Sequence, residues 1–381
     1  MKKIVVLLTI LILVLTNITV FAEMDLNSPS AILLDYNTGQ VIFSKNEKEK
    51  LPPASITKIM NLLIVMELLS DGNITLEDKV AVSENASKTP GTTIYLDRDE
   101  VQTVDNLIKA ISIRSANDAA VALAEHISGS EAEFVKLMNK KAKSLGMNNT
   151  NFSNCTGLSS DNHYTTASDI GKMSKALLDH NMIYDYLNTY MEDIEVGKTK
   201  KSIQTMVNTN RLIKDYVGAN GIKTGYTSEA KHCISASAKR DNLHLIAVVM
   251  KSDSSDSRFK DAKTLLDFGF SNYKTLTIGS KGDIITGIEI QKGKKNLVDL
   301  VLERDCHILL KKEVSAEVEK LVNIPSFMEA PIKENQIVGE LVIKSNGKIV
   351  DTVNLLAKEE VGTGSIFNIL NKVIRNFLFN I

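Results

Sequence analysis

Apolar and polar positions divide the first two thirds of the chain into strands, then helices, then strands again. Short apolar runs at 31–34 and 40–43 flank a turn that contains Gly39, which predicts a β-hairpin. From 56 to 69 the apolar residues recur at helical spacing, and the same periodicity predicts further helices at 104–113, 119–127, 131–145 and 167–178.

After Gly221 the pattern returns to strands. Apolar runs at 222–226, 233–238 and 243–250 predict a meander, and 259–268 returns to helical spacing. Two strands, a block of helices and three strands indicate an α+β domain over 23–275. Its single antiparallel sheet would be built from both ends of the domain and flanked by the helices between them.

The pattern of apolar and polar residues changes near residue 276. Short β-type runs recur at 283–290, 297–302, 337–343 and 349–355, and Ser345-Asn346-Gly347 joins the last two with a strong hairpin signal. We therefore predict a small all-β domain over 276–360.

The N-terminus has the three-part layout of a secretory signal. Lys2 and Lys3 precede an apolar run at 4–14, and small residues follow at 20–22. An uncleaved anchor is the alternative, but polar Thr16, Asn17 and Thr19 interrupt the run before it reaches membrane-spanning length. We expect removal of residues 1–22 and export of the remainder to the extracytoplasmic face of the cell membrane.

The C-terminus predicts an amphipathic helix behind a flexible joint at 361–364. One face of 365–381 is apolar and the other is polar and basic: Ile366, Phe367, Leu370, Val373, Ile374, Phe377 and Leu378 against Asn368, Asn371, Lys372, Arg375 and Asn376. The segment is too short and polar to cross a bilayer, and it suits a helix that lies in the outer leaflet of the cytoplasmic membrane. A terminal helix docked on its own domain is the alternative.

Composition excludes some classes of function. The net charge of the 381-residue chain is −1 and Trp is absent, so there is no basic, aromatic surface for nucleic acid. Cys155, Cys233 and Cys306 are scattered and odd in number, which favours buried thiols over a disulfide framework. His232 and Cys233 would point to opposite faces of a strand, which argues against a Cys–His nucleophile or a shared metal.

The first of three short motifs is Ser55-Ile56-Thr57-Lys58, at the start of the apolar helix. A Ser there is most often an N-cap. Lys58, however, lies three residues on along the same face, so its amine reaches the Ser55 hydroxyl. An uncharged lysine amine activates a hydroxyl as a nucleophile, and burial or a second cation lowers the lysine pKa.

The second and third motifs supply further polar groups. Ser115-Ala116-Asn117 lies between two helices, where Ser115 suits a proton relay and Asn117 a contact to a peptide bond; capping of the next helix is the structural alternative. In Lys223-Thr224-Gly225, on a strand, Lys223 and Thr224 suit a carboxylate, and Gly225 permits close approach of a substrate backbone.

Together these motifs resemble those of the D-alanyl-D-alanine carboxypeptidases, the low-molecular-mass penicillin-binding proteins of serine peptidase family S11. The likeness extends to the order of signal peptide, transpeptidase/β-lactamase-like domain, small all-β domain and C-terminal amphipathic helix. It implies cleavage of the terminal D-alanine from peptidoglycan stem peptides that end in D-Ala-D-Ala, covalent inhibition by β-lactams, and no metal or cofactor.

The resemblance also implies a role for each motif residue. Ser55 would be the acylated nucleophile, Lys58 its base and Ser115 the proton relay. Substrate would be bound by Asn117, Lys223, Thr224 and Gly225, and the oxyanion by the backbone N–H groups of Ser55 and Tyr226. Ala230-Lys231-His232 departs from the family, which has a Gly after the alanine, and we expect an altered turn behind the third motif.

Two other functions remain to be weighed. A class A β-lactamase would deacylate with a Glu-x-x-Asn arrangement, and no Glu of this chain has Asn three positions later. The second alternative is a wall-bound scaffold or penicillin sensor without turnover. The presence of all the catalytic residues argues against it.

Overall fold

The structure, a computed structural model, describes residues 24–313 and 317–365. The predicted signal peptide and the predicted amphipathic helix lie outside these residues. Within 24–313 and 317–365, each helix is too short or too polar to span a bilayer.

The first domain contains nine strands and nine α-helices among the described residues. The strands are β1 Ser30–Asp35, β2 Val41–Lys45, β3 Lys79–Ala81, β4 Val101–Thr103, β5 Met191–Val196, β6 Ser202–Val207, β7 Ala219–Thr227, β8 Lys231–Arg240 and β9 Leu243–Ser252. The helices are α1 Lys58–Ser70, α2 Glu84–Ser87, α3 Val104–Lys109, α4 Asn117–Ser128, α5 Glu131–Ser144, α6 Ala167–Leu178, α7 Ile183–Leu187, α8 Leu212–Asp215 and α9 Ser255–Asn272.

The central sheet has the strand order β2-β1-β9-β8-β7, and every neighbouring pair is antiparallel. Its strands come from both ends of the domain with the helices between them, which confirms the predicted α+β arrangement. The hairpins β3–β4 and β5–β6 were not predicted, because their strands are only three to six residues long and bury one or two side chains each.

Both faces of the central sheet are covered. In β1, Ile32 and Leu34 face the core formed by α1, α4 and α6, whereas Ala31 and Leu33 face the core that contains α9. Since successive strand residues point to opposite faces, burial of both faces requires the unbroken apolar run that this strand shows.

Helix α1 runs through the larger core. Every residue from Lys58 to Met66 is buried, so the helix is enclosed all round in its first two and a half turns. A 3₁₀ turn, Ala54–Thr57, leads directly into it. A charged residue type at the start of such a helix is thereby placed inside the protein.

The second domain is an all-β unit, as predicted. Its strands are β10 Tyr273–Gly279, β11 Ile284–Gln291, β12 Leu297–Leu302, β13 Cys306–Lys311, β14 Val318–Asn323, β15 Phe327–Glu329, β16 Ile337–Ser345 and β17 Lys348–Ala357. They form a two-stranded sheet, β10-β13, and a six-stranded sheet, β14-β16-β17-β12-β11-β15, around one apolar core. Strand β10 spans the 275/276 boundary and pairs with β13.

The prediction of a flexible joint at 361–364 is wrong, because the backbone of this segment is hydrogen-bonded to the second domain. Val361 exchanges two backbone hydrogen bonds with Ile332, the carbonyl of Gly362 accepts from Lys294, and Gly364 donates to Lys292. Glycines favour loops when nothing pairs with their backbone, but here the adjacent loops of the second domain satisfy these groups.

Candidate active site

The first motif lies where the 3₁₀ turn meets the edge of the central sheet. Ala54 has a left-handed φ of 49°, and Thr57 closes the turn by donating to the Ala54 carbonyl at 2.8 Å. Ser55 is half-buried, whereas Ile56 is fully buried and anchors the turn in the core. The backbone is therefore fixed on both sides of the Ser55 hydroxyl.

Lys58 occupies the centre of the site and is fully buried. Its Nζ lies 3.0 Å from Ser55 Oγ, 2.7 Å from Asn117 Oδ1 and 2.7 Å from the Thr156 carbonyl oxygen. Burial lowers the pKa of Lys58 to about 7, against a smaller opposing effect of the neighbouring Cys155 and Asp118.

The partners of Lys58 define where its lone pair points. The amide oxygen of Asn117 and the carbonyl of Thr156 are acceptors only, so each requires an N–H of Lys58. A neutral amine has two N–H groups and one lone pair, which leaves the lone pair directed at Ser55 Oγ. In that state the Ser55 hydroxyl donates its hydrogen bond to the Lys58 lone pair, an arrangement suited to removal of the hydroxyl proton.

The second motif forms the wall opposite this amine. Asn117 begins α4; its N–H donates to the Thr92 carbonyl at 2.7 Å and its Nδ2 to the Pro90 carbonyl at 2.6 Å. Ser115 is buried, with a left-handed φ of 67°, at the end of a π turn that continues α3. Asn117 thus holds the amine and a loop, and its second amide hydrogen is the one suited to a substrate.

The third motif lies in β7 beside the Ser55 turn. A Cβ built on Gly225 would be 2.9 Å from Ser55 N and 3.1 Å from the Pro53 carbonyl, so glycine allows the strand to approach the turn. The prediction placed substrate backbone at that approach, and the structure places the Ser55 turn there. Tyr226 is exposed, with its ring 4.5 Å from that of His232.

Lys223 and Thr224 are buried in the same strand. Lys223 Nζ donates to the Thr224 carbonyl at 3.1 Å, and Thr224 Oγ1 donates to Thr209 Oγ1 at 2.8 Å. Burial lowers the pKa of Lys223 well below its ordinary value, and the charges of Lys58 and Arg258 lower it further. Because repulsion is mutual, charge on Lys223 also disfavours charge on Lys58.

Sequence reasoning missed two loop residues of the site, Thr156 and Gly157. Asn154 Oδ1 accepts from the Thr156 and Gly157 N–H groups, which folds the loop back onto the Ser55 turn. Gly157 has φ 87°, and a Cβ there would be 1.9 Å from the Ala54 carbonyl oxygen. The only signal in the sequence was the Asn-x-x-Gly pattern at 154–157, which predicts a loop but does not indicate that the loop packs against the Ser55 turn.

Arg258 in α9 was also missed. It is buried behind the third motif, where Nη1 donates to the carbonyls of Gly225 at 3.0 Å and Cys233 at 3.3 Å. Burial lowers its pKa to about 10. The guanidinium thereby ties β7 to β8 behind the Ser55 turn, and the sequence periodicity gave no indication of this contact.

The departure at Lys231 has a local consequence. Lys231 begins β8 with a left-handed φ of 55°, a conformation that glycine adopts without strain.

The three cysteines, Cys155, Cys233 and Cys306, are buried and free, which confirms the prediction of buried thiols.

Comparison with known proteins places the chain among a defined group. Residues 17–254 match the family described as D-alanyl-D-alanine carboxypeptidase, and residues 273–363 match the family described as Penicillin-binding protein 5, C-terminal domain. The chain is 41% identical over 354 residues to the D-alanyl-D-alanine carboxypeptidase DacF of Bacillus subtilis strain 168, covering 93% of this chain and 90% of that protein.

Solved structures agree with the sequence match. Penicillin binding protein 5 from Haemophilus influenzae superposes with a TM-score of 0.75 at 31% identity, covering 89% of this chain and 98% of that one. Penicillin-Binding Protein D2 from Listeria monocytogenes, solved in its ampicillin-bound form, covers 64% of this chain and 98% of that one with a TM-score of 0.57 at 28% identity. The chain belongs to the D-alanyl-D-alanine carboxypeptidase family.

Proposed function

We propose that this protein is a serine D-Ala-D-Ala carboxypeptidase that removes the terminal D-alanine from peptidoglycan stem peptides through an acyl-enzyme on Ser55. The observation that carries the proposal is the buried Lys58 amine, 3.0 Å from Ser55 Oγ and with a pKa lowered to about 7. Family membership and the name of the B. subtilis relative support the substrate class.

The proposed reaction begins with attack of Ser55 Oγ on the carbonyl carbon of the penultimate D-alanine. Lys58 takes the hydroxyl proton, and the N–H groups of Ser55 and Tyr226 stabilise the oxyanion. The peptide bond breaks as the leaving D-alanine nitrogen accepts a proton from Lys58 through Ser115. Water then hydrolyses the ester, which frees Ser55 and the shortened peptide.

Lys223 and Thr224 are assigned to the substrate's terminal carboxylate. No carboxylate among residues 24–313 and 317–365 pairs with the Lys223 ammonium, whose charge is disfavoured by burial and by Lys58. An incoming carboxylate supplies the missing counter-charge. Asn117 supplies its remaining amide hydrogen to the acyl part of the peptide.

Release of D-alanine from an acyl-Lys-D-Ala-D-Ala peptide tests the proposal. The wild type is expected to release D-alanine, and Ser55→Ala and Lys58→Ala to lose at least about three orders of magnitude of kcat/KM. Thermal melts check that both variants fold. A wild type that binds the peptide without releasing D-alanine would instead be the binding protein weighed above.

We further propose that β-lactams trap the protein as a covalent ester, because this chain lacks a Glu-x-x-Asn arrangement for deacylation. The ampicillin-bound Listeria protein supports the proposal. Incubation with a fluorescent penicillin should label wild type and not Ser55→Ala in denaturing gels. Rapid turnover of the penicillin without label would favour a β-lactamase.

We also propose that the protein acts outside the cytoplasm. Residues 1–22 would direct its export, and the segment after Gly364 would hold it on the outer leaflet of the cytoplasmic membrane. The support is the signal layout and the amphipathic pattern of the tail. Truncation after Gly364 should release the protein from membranes and leave activity on soluble peptide unchanged. Membrane retention of the truncated, signal-cleaved protein would contradict the anchor.

A further inference from the structure

Tyr95 has a strained backbone, as do Ala54 before the first motif and Ser115 in the second. Most described non-glycine residues with a left-handed φ are Asn, Asp or Lys, and the three others are Ala54, Ser115 and Tyr95, with φ 49°, 67° and 63°. Ala54 precedes the nucleophile and Ser115 belongs to the second motif. For an aromatic residue this conformation is a genuine outlier, and such strain persists where the surroundings enforce it, often at functional sites.

The surroundings that enforce the Tyr95 conformation are visible. The buried carboxylate of Asp118 accepts from the N–H of Ile94 at 3.1 Å and from the N–H of Leu96 at 3.1 Å, one on each side of Tyr95. The side chains of Ile94 and Leu96 are buried, whereas Tyr95 is 70% exposed. A buried acid and two apolar anchors therefore fix this backbone and display one aromatic ring to solvent.

The same clamp is connected to the catalytic groups. Asp118 follows Asn117, whose Oδ1 accepts from Lys58 and whose N–H and Nδ2 bind the carbonyls of Thr92 and Pro90. The loop from Pro90 to Leu96 thus wraps around the second motif. Tyr95 lies three residues beyond Thr92, so its Cα is within about 10 Å of that contact.

We propose that Tyr95 contacts the substrate and packs against the residue that precedes D-Ala-D-Ala in the stem peptide. The inference rests on the proposed function, which assigns the terminal carboxylate to Lys223 and Thr224 in β7. The acyl part of the peptide then extends past Asn117, the residue to which the Tyr95 loop is bound. A diamino acid there offers methylenes and an ammonium group, both of which suit an aromatic face.

Two substrates of different length separate this role from a structural one. Tyr95→Ala is expected to raise KM for acyl-Lys-D-Ala-D-Ala about 10-fold with kcat nearly unchanged, and to leave kcat/KM for the shorter acyl-D-Ala-D-Ala unaltered. Tyr95→Phe, which keeps the ring, should retain the wild-type KM. Equal losses on both substrates, or no change in KM for the longer one, would overturn the inference.

Glycine at the same position provides the sharper comparison. Tyr95→Gly removes the strain together with the ring, so its melting temperature should match or exceed that of the wild type while KM rises as in Tyr95→Ala. Asp99→Gly is the matched control, because Asp99 is an exposed left-handed residue (φ 57°) outside the site. It should leave KM for both peptides unchanged.

A failure of the proposed function has a different signature. If the wild type released no D-alanine, the carboxypeptidase assignment would fall. The affinity of Ser55→Ala protein for acyl-Lys-D-Ala-D-Ala, measured by calorimetry with and without Tyr95→Ala, still decides the role of the ring. A weaker affinity in the double variant supports the contact, and an equal affinity refutes it.

Discussion

The pH dependence of acylation tests the chemistry of the buried lysine most directly. With a pKa of about 7, roughly half of the Lys58 amines are neutral at pH 7. With the ordinary lysine pKa, only about 0.03% would be neutral at this pH, so burial increases the reactive fraction by about three orders of magnitude. The shift corresponds to about 5 kcal/mol of disfavoured charge.

The assay is the second-order rate of labelling by a fluorescent penicillin between pH 5 and 9. We expect the rate to rise about tenfold per pH unit in the acid range, to bend near pH 7 and then to level off. His163, which hydrogen-bonds Thr57, is not the titrating group, because burial lowers its pKa to about 4. Burial also lowers the pKa of Lys223, but Lys58 is the amine that lies 3.0 Å from Ser55 Oγ, so we assign the expected bend to Lys58.

Two substitutions complete this test. Lys58→Arg keeps a cation that cannot lose its proton, so labelling should be absent throughout the pH range. Lys172→Arg, at a partly exposed lysine paired with Asp169, should reproduce the wild-type profile. A rate that is flat from pH 5.5 to 8.5, or that still rises tenfold per unit at pH 9, would refute the assignment of Lys58 as a base neutralised by burial.

Three further substitutions have distinct expected outcomes. Gly157→Ala should lower the free energy of unfolding, measured in urea, by about 3 kcal/mol and abolish penicillin labelling, because its Cβ would lie 1.9 Å from a backbone oxygen. Gly72→Ala is the control: the space around Gly72 is open, so this variant should lose about 1 kcal/mol and label normally. Lys231→Gly should gain about 0.5 kcal/mol by relief of its positive φ, and a loss of stability would contradict that reasoning. Lys223→Ala should lower kcat/KM for D-alanine release by more than about 100-fold, and an unchanged value would remove its assignment to the carboxylate.

Local geometry explains which parts of the site were predictable from sequence. Ser55 and Lys58 lie three residues apart at a helix start, so helix geometry alone brings hydroxyl and amine together, and the structure places them 3.0 Å apart. The Thr156 carbonyl reaches Lys58 across 98 residues and Arg258 reaches Gly225 across 33. Such contacts depend on how loops and helices pack, which a periodicity does not encode.

The burial of Lys58 shows how the fold converts a weak motif into chemistry. A Ser-x-x-Lys pair on a surface helix has a charged lysine and an inert serine. Here the core encloses the first two and a half turns of α1, so the pair is removed from water and burial lowers the pKa of the Lys58 amine to about 7. The sequence showed the apolar stripe of α1 but not its burial on all faces. The helices that cover its other faces are α5 and α6, which lie far along the chain.

The two buried lysines make a carboxylate a suitable ligand for the proposed site. Burial and the charge of Lys58 lower the pKa of Lys223, and neither amine has a carboxylate partner among the residues the structure describes. Under the proposed function, the terminal carboxylate of the peptide forms an ion pair with the Lys223 ammonium. An ion pair has no net charge, so it changes the field at Lys58 little, and burial still holds the pKa of Lys58 at about 7. Recognition of the peptide end by a charged lysine and activation of Ser55 by an uncharged one are thereby compatible within one buried site.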